Sequence, residues 1–322
     1  MILVTGGAGF LGSALVRALA WRGERVRVLD NFARPSSRHE MPEAPGVEHV
    51  VDTVTDARAV ALACEGVDTV VHMAAINGTR NFYERPNAVL RVGIEGMLSV
   101  VKAVNDDERI KHLVVVSSSE VYQTPPVFPT PEDVPLVVPA LDNPRYSYGG
   151  GKIASELLAR WCVRPHCRVT VVRPHNVYGP AMGYDHVIPE LVEQLRKVAT
   201  TGSGELTLQG TGTERRAFLF VSDFVGAMRA VIDRPKTGPV FDVFNIGSDT
   251  ETSIRELAQR LMDVTGIDVP VRMAQDSAPA GATNRRLADC QRLKMLGWRA
   301  RMSLDAGLLE TADWYLHNPK PQ

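Results

Sequence analysis

"TGGAGFLG", residues 5–12, follows the apolar run "MILV" and leads into the helical pattern "SALVRALAWRG". Within it Gly6, Gly9 and Gly12 recur at every third residue. A strand, a glycine turn and a helix in that order suit a pyrophosphate. Glycines allow the tight turn, the close approach of backbone to phosphate, and the seating of the helix on the sheet. A helix-capping loop would carry the same glycines, so the triplet is weak by itself. Asp30 strengthens it, because it closes the next apolar run, "RVRVLD", 18 residues after Gly12, where a carboxylate accepts hydrogen bonds from an adenosine ribose. The same carboxylate repels a 2'-phosphate. NAD is therefore expected over NADP, with Arg34 nearby as the one residue that favours the phosphate.

Outward from this turn, short β-branched runs alternate with longer helical patterns. "MILV", "RVRVLD", "VEHVV", "TVVHMAA", "HLVVVSSS" and "RVTVVRP" read as strands buried on both faces. Between them "DARAVALACEG", "PNAVLRVGIEGMLSVVKAVN" and "YGGGKIASELLARWC" read as helices. The alternation predicts an α/β fold, a doubly wound parallel sheet (Rossmann) with a smaller C-terminal substrate-binding lobe. Residues 1–175 are expected to form the NAD-binding domain, with a return segment near 221–247, and residues 176–322 the second lobe. After Pro174 the rhythm breaks: residues 181–220 read as glycine-punctuated and short in element, and "FDVFNIG" as the returning strand. "SIRELAQRLMDVTG" and "SLDAGLLETADWYLHN" read as late amphipathic helices. The proline-rich stretch from Gln123 to Pro144 joins two elements of one domain and reads as an ordered loop or a lid.

Composition excludes several classes of function. The chain has 322 residues, 44% hydrophobic and 23% charged, as an ordinary globular protein does. Its 36 Lys and Arg face 37 Asp and Glu without a charged block, so neither nucleic acid nor a membrane surface is an expected partner. Four scattered cysteines are too few for a disulfide framework, and "CVRPHC" with His166 lacks a second cluster to complete a metal site; no metal is expected. No basic leader and no apolar run of membrane-spanning length is seen, which makes a reducing cytoplasm the expected compartment.

"SYGGGK", residues 147–152, places Tyr148 and Lys152 at i and i+4 of a helix, on one face. Each intervening glycine costs such a helix about 1 kcal/mol relative to alanine, so the stretch points to a site. With it, the chain resembles the extended short-chain dehydrogenase/reductases, the NAD-dependent nucleotide-sugar epimerases and dehydratases, over nearly its full length. The matching stretches are "TGGAGFLG", "LDN", "HMAA" at 72–75, "SSSEVY" at 117–122, "YGGGK" at 148–152, "RPHNVYGP" at 173–180, "GTGTERRAF" at 210–218 with "VSDF" following, and "RRLAD" with "LGW" ending at Trp298.

The resemblance implies that Tyr148 is the acid/base and that Lys152 holds the nicotinamide ribose and lowers the tyrosine pKa, since a free phenol near pKa 10 is a poor base at neutral pH. It implies that Ser118 binds the reacting sugar hydroxyl, although a hydroxyl capping the strand end is a competitive reading. Gly6, Gly9, Phe10, Leu11, Gly12, Asp30, Asn31 and Ser117 are implied at the cofactor, Asp52 and Thr53 at its adenine, and Met73, Ala74 and Ala75 along it through their backbone. Asn176 and Arg216, with Arg286 as a third contact, are implied at the diphosphate of a nucleotide-diphosphate sugar. Arg215 and Arg285 read equally well as surface residues, and His175 and His186 as structural ones.

Two departures from the family pattern mark a divergent subgroup: Gly93 stands where an asparagine is usual, and "VYQ" where "VYG" is common. The expected reaction is 4-epimerisation through a transient 4-keto sugar. The alternatives are 4,6-dehydration or decarboxylation using Glu120, a residue that recurs in the resembling dehydratases and decarboxylases, and, from another class, a catalytically inactive NAD-binding sensor. A homodimer built on the helices around 87–105 and 148–163 is also implied; Val89, Val92, Met97, Val100 and Val101 read either as its interface or as ordinary core.

Overall fold

All four residues of β1 (Ile2–Thr5) are buried, which places this strand at the centre of the main sheet. The computed structural model describes residues 1–34, 43–234, 240–274 and 283–320. After β1 come α1 (Phe10–Trp21), β2 (Val26–Asp30), β3 (Val47–Val51), α2 (Ala57–Ala63), β4 (Thr69–His72), α3 (Thr79–Glu84) and α4 (Pro86–Asp106). Next are β5 (His112–Val116), a 3-10 turn (Ser119–Val121), α5 (Tyr146–Cys162), β6 (Arg168–Pro174), β7 (Val177–Tyr178), α6 (Val187–Thr201), β8 (Leu206–Leu208), β9 (Arg215–Arg216) and β10 (Leu219–Phe220). The chain continues with α7 (Val221–Ile232), β11 (Phe241–Ile246), β12 (Thr252–Ser253), α8 (Ile254–Thr265), β13 (Val271–Met273), β14 (Arg285–Arg286), α9 (Gln291–Lys294) and α10 (Leu304–His317).

Seven strands pair in parallel in the order β11-β6-β5-β4-β1-β2-β3. The order reverses between β1 and β4, so a crevice opens at the carboxyl ends of those two strands, where open α/β sheets bind ligands. Helices cover both faces, as expected. On one, Leu15, Val16 and Leu19 of α1 and Phe224, Met228 and Val231 of α7 join the sheet in a common core. On the other, Val60 of α2, Met97, Val100 and Val104 of α4 and Ala159 of α5 do so. A third core, built on α6, α8 and α10, belongs to the C-terminal half. Residues 221–234 and 240–246 return to the main sheet, the first as a helix and the second as its edge strand; residues 235–239 of the expected return segment lie outside the described residues.

Residues 181–220 depart from the expectation of short elements, because they contain the 15-residue helix α6. Ile188, Leu191, Val192 and Leu195 form its buried stripe at helical spacing. Pro189 falls in the first turn, where the backbone N–H has no intrahelical partner to lose, and Gly202 ends the helix in a left-handed conformation.

The proline-rich loop is ordered and stitched down. Thr130 donates from its N–H to the Leu287 carbonyl at 2.8 Å and accepts from the Asp289 N–H at 2.9 Å, and the Glu132 carboxylate accepts the Asn245 N–H at 2.8 Å. At Val137 the loop is tied again, to the Val121 carbonyl. Among the described residues no helix is long and apolar enough to cross a membrane.

Candidate active site

The turn after β1 has the form a pyrophosphate needs. Gly6 has φ +71°, and a Cβ there would lie 2.8 Å from the Ala74 backbone, so the turn and the end of β4 close on each other only through glycine. Helix α1 starts with Gly9 as N-cap, with no side chain bonded to its free N–H groups and no acid in its first turn, which leaves the positive helix end open to an anion. Asp30 stands at the carboxyl end of β2, its Oδ2 accepting the Ala8 N–H at 3.0 Å and its Oδ1 the Phe32 N–H at 2.9 Å. These bonds fix the carboxylate beside the glycine turn. Next to it Asp52 is tied to β2 through its own N–H, and its carboxylate accepts the Thr53 N–H at 2.7 Å. The residues present thus fit NAD.

On the opposite side of the crevice Thr5 organises the end of β4. Its hydroxyl lies 2.8 Å from His72 Nδ1 and accepts the N–H groups of Met73 and Ala74. With those two bonds accepted, its proton goes to His72 Nδ1. Burial, and then the charge of Lys152, push the His72 pKa down to about 3, so the imidazole is neutral.

Tyr148 and Lys152 share a face of α5, as the spacing requires. The Tyr148 ring stacks on Phe82 with centroids 4.9 Å apart, and its hydroxyl is hydrogen-bonded to Ser118. Burial pushes the phenol pKa up, the Ser118 bond works against that, and the nearby Glu120 charge adds to it, so without cofactor the phenol holds its proton. Lys152 donates from Nζ to the Val116 carbonyl at 2.7 Å and lies 5.7 Å from the Tyr148 ring centroid. Burial lowers its pKa to about 8, against the opposing pull of Glu156. Ser118 caps the 3-10 turn through a bond from the Glu120 N–H and also meets Tyr148, so its two sequence readings are compatible.

Only one of the three glycines between Tyr148 and Lys152 is required by packing. A Cβ on Gly149 would lie 2.9 Å from both the Glu120 carbonyl oxygen and Gln123 Nε2. At Gly150 and Gly151 the nearest atoms would be 3.6 Å and 3.8 Å away, ordinary contact distances.

Arg286 sits against the 118–120 turn, donating from Nη1 to the Ser119 hydroxyl at 2.9 Å, while its Nη2 pairs with Glu120 Oε1 at 2.9 Å. Arg145, which sequence reasoning did not single out, approaches the same carboxylate oxygen at 3.8 Å, and its Nε is buried without a partner. Burial pulls the Glu120 pKa up, but the charges of Arg286 and Arg145 outweigh it and hold the carboxyl below the usual range. Arg216 belongs to the same group: burial and the Arg286 charge lower its pKa to about 10, and it donates to the Arg215 and Thr283 carbonyls. Asn176 adopts φ +42° and donates to the Ala217 carbonyl at 3.4 Å, close to where Arg216 leaves its strand. Arg285 lies on the surface, paired with Glu251. The Arg145 signal in the sequence is its place three residues before Tyr148; its approach to Glu120 is a matter of tertiary folding.

A parallel sheet with a glycine turn, an acid at the end of β2 and a Tyr-Lys pair beside a serine defines an extended short-chain dehydrogenase/reductase. Residues 2–247 match the model of the NAD dependent epimerase/dehydratase family, and the chain belongs to that family. Its cofactor is NAD and it is an enzyme. It is 30% identical over 324 residues to a UDP-N-acetyl-alpha-D-glucosaminuronate decarboxylase of Bacillus cytotoxicus, covering 97% of each chain. It is 32% identical to a dTDP-4-dehydro-6-deoxy-D-allose reductase of Streptomyces bikiniensis, covering 99% of this chain and 97% of the relative. Among solved structures, UDP-glucose 4-epimerase of Thermotoga maritima with UDP-glucose superposes with a TM-score of 0.86 at 25% identity, over 98% of this chain and 99% of the other. Decarboxylase, reductase and epimerase share one scaffold, and the chain is a member of this nucleotide-sugar-modifying group.

Proposed function

We propose that this enzyme is a nucleotide-sugar 4-epimerase acting through a transient 4-ketone. The observation that supports it best is the pairing of Glu120 with Arg286 at 2.9 Å, which engages that carboxylate and leaves Tyr148 as the acid/base of the site. Epimerisation asks for one acid/base only, at the C4 oxygen, and Tyr148 supplies it. Bound NAD would supply the hydride acceptor and, later, the donor. Ser118 orients the sugar hydroxyl, Tyr148 Oη takes its proton and later restores it, and the Lys152 ammonium favours the phenolate and holds the nicotinamide ribose. Asn176, Arg216 and Arg286 are proposed at the substrate diphosphate. With Arg145 the arginines outnumber Glu120 three to one, and their planar forks suit phosphate oxygens.

A second reading, dehydration or decarboxylation with Glu120 as acid/base, is favoured by the place of Glu120 two residues from Ser118 in the same turn. Incubation with UDP-, dTDP-, GDP-, CDP- and ADP-sugars, followed by mass and NMR analysis, decides between them. C4 epimers are expected; loss of water or carbon dioxide would replace the first reading with the second.

A homodimer through α4 and α5 is proposed as the assembly. Val89, Met97, Val100 and Val101 are buried within one chain, and Val92 packs on that same core, so they belong to it. Leu90, Leu98, Leu157 and Trp161 are the apolar residues these helices leave exposed. A monomer by light scattering at micromolar concentration would refute it. The cytoplasm is the proposed compartment, in keeping with four free cysteines.

A further inference from the structure

Glu156 lies one helical turn beyond Lys152 on α5 and is 5% exposed. Its Oε1 accepts the Ser117 hydroxyl at 2.5 Å and Arg173 Nε at 3.0 Å, and its Oε2 accepts Arg173 Nη2 at 2.6 Å. Arg173 turns its remaining nitrogen the other way, donating from Nη1 to the Tyr122 hydroxyl at 2.7 Å and the Glu132 carbonyl at 2.8 Å. The pair therefore has a direction. Its negative end faces the Ser117 and Lys152 turn, and its positive end faces the base of the proline-rich loop. Buried ion pairs add little stability over apolar packing, so this one calls for another explanation.

Lys152 supplies it. Its ammonium is buried, with the Val116 carbonyl as its hydrogen-bond acceptor. The groups around it offer little else. From its own helix come Tyr148, still protonated, and Glu156; from β4 comes His72, neutral; from β6 comes Arg173, paired with Glu156. Glu156 is the carboxylate that favours the charged lysine, and through Ser117 it also fixes the strand end that carries Ser118.

We propose that Glu156 is a positioning residue of the cofactor site, whose carboxylate keeps the enclosed Lys152 ammonium charged and pins Ser117, so that Lys152 and Ser118 meet NAD and Tyr148 in working form. This role presupposes the assignment of Tyr148 and Lys152 to that site. The test is calorimetric titration of the full chain, freed of nucleotide, with NAD between pH 6 and pH 9.5. Wild-type affinity is expected to fall as pH rises through about 8, where Lys152 loses its proton. In Glu156→Gln the fall should begin about one unit lower, leaving affinity about threefold weaker than wild type near pH 7.5, about tenfold weaker by pH 9 and nearly unchanged at pH 6. The double variant Glu156→Gln/Arg173→Gln leaves no unpaired buried charge, and should show a smaller displacement in the same direction if the single variant does not fold. Lys152→Met separates the two layers. Should it bind NAD as wild type does, the assignment of Lys152 fails; should it weaken NAD while the Glu156 variants keep the wild-type midpoint, or weaken NAD equally at every pH, the role of Glu156 is merely structural and the proposal is overturned.

Discussion

Glu120 Oε1 and Arg286 Nη2 lie 2.9 Å apart, joining the 3-10 turn after β5 to β14, two segments far apart in the sequence. The pair brings a residue of the turn capped by Ser118 and a residue of the C-terminal half into one electrostatic unit. Whether Glu120 takes part in proton transfer or only holds Arg286 in place is what separates the candidate reactions.

Glu120→Gln keeps the shape and removes the charge. If epimerisation is the reaction, the variant should retain NAD reduction in a single turnover and much of its steady-state rate. A variant that reduces NAD normally and then accumulates a 4-keto sugar would make Glu120 the acid/base of a later step.

Tyr148→Phe preserves the stacking on Phe82 and removes the hydroxyl bonded to Ser118. Binding of NAD and nucleotide sugar should be kept while kcat falls about 10² to 10⁴-fold, the usual contribution of a general acid/base. Near-normal kcat would remove the tyrosine from the mechanism.

Asp30→Ala takes away a carboxylate that is bonded to Ala8 and Phe32 before any ligand arrives. NAD affinity should fall about 10- to 100-fold, the worth of a charged hydrogen bond, and the preference over NADP should relax. Titration of both cofactors checks this, and tighter binding of NADP by the wild type would contradict the expected selectivity.

Three histidines, His72 and His175 buried and His112 half-buried, should make the fold acid-sensitive. Burial, as the largest cause, lowers the pKa values of His72 and His175 to about 3 and of His112 to about 4. The unfolded chain takes up protons on them near pH 6.5, while the folded chain does not, so their contribution to stability is complete above pH 6.5 and is lost as pH falls toward 4 and 3. Up to roughly 4 kcal/mol per pH unit near pH 5 follows from three such groups. Denaturant midpoints between pH 7 and pH 4.5 should show that slope, and His112→Gln should reduce it by about a third.

The glycines of α5 should separate into two kinds. Gly149→Ala pushes a methyl into the Glu120 carbonyl and should destabilise by about 1–3 kcal/mol and slow turnover. Gly150→Ala and Gly151→Ala have room for the methyl and should each stabilise by about 1 kcal/mol. Melting temperatures of the three variants are the measurement.

The sequence displayed what depends on spacing along one element. The glycine turn, Asp30 at the end of β2 and the Tyr148–Lys152 pair are local patterns, and each stands where its spacing predicts. Helix α6 was hidden by Pro189 and the surrounding glycines, although its Ile188, Leu191, Val192 and Leu195 stripe was present to be read. The approach of Arg145 and Arg286 to Glu120, and of Arg173 to Glu156, were not legible, because these contacts join segments whose separation in the chain carries no signal of their meeting. The apolar residues of α4 show the same limit: period alone does not tell Val100, in the core, from Leu98, on the surface.

The edge strand β11 completes the sheet only after the chain has passed through β7, α6 and α7. On a translating ribosome, β6 would thus emerge with its outer edge of N–H and C=O groups open, and would stay so until Phe241–Ile246 is made. An open edge beside an apolar surface is an invitation to pair with another nascent chain. Synthesis stalled or truncated between the two strands should yield aggregates rather than a working cofactor domain, so the chain is a single unit of biogenesis even though it reads as two lobes.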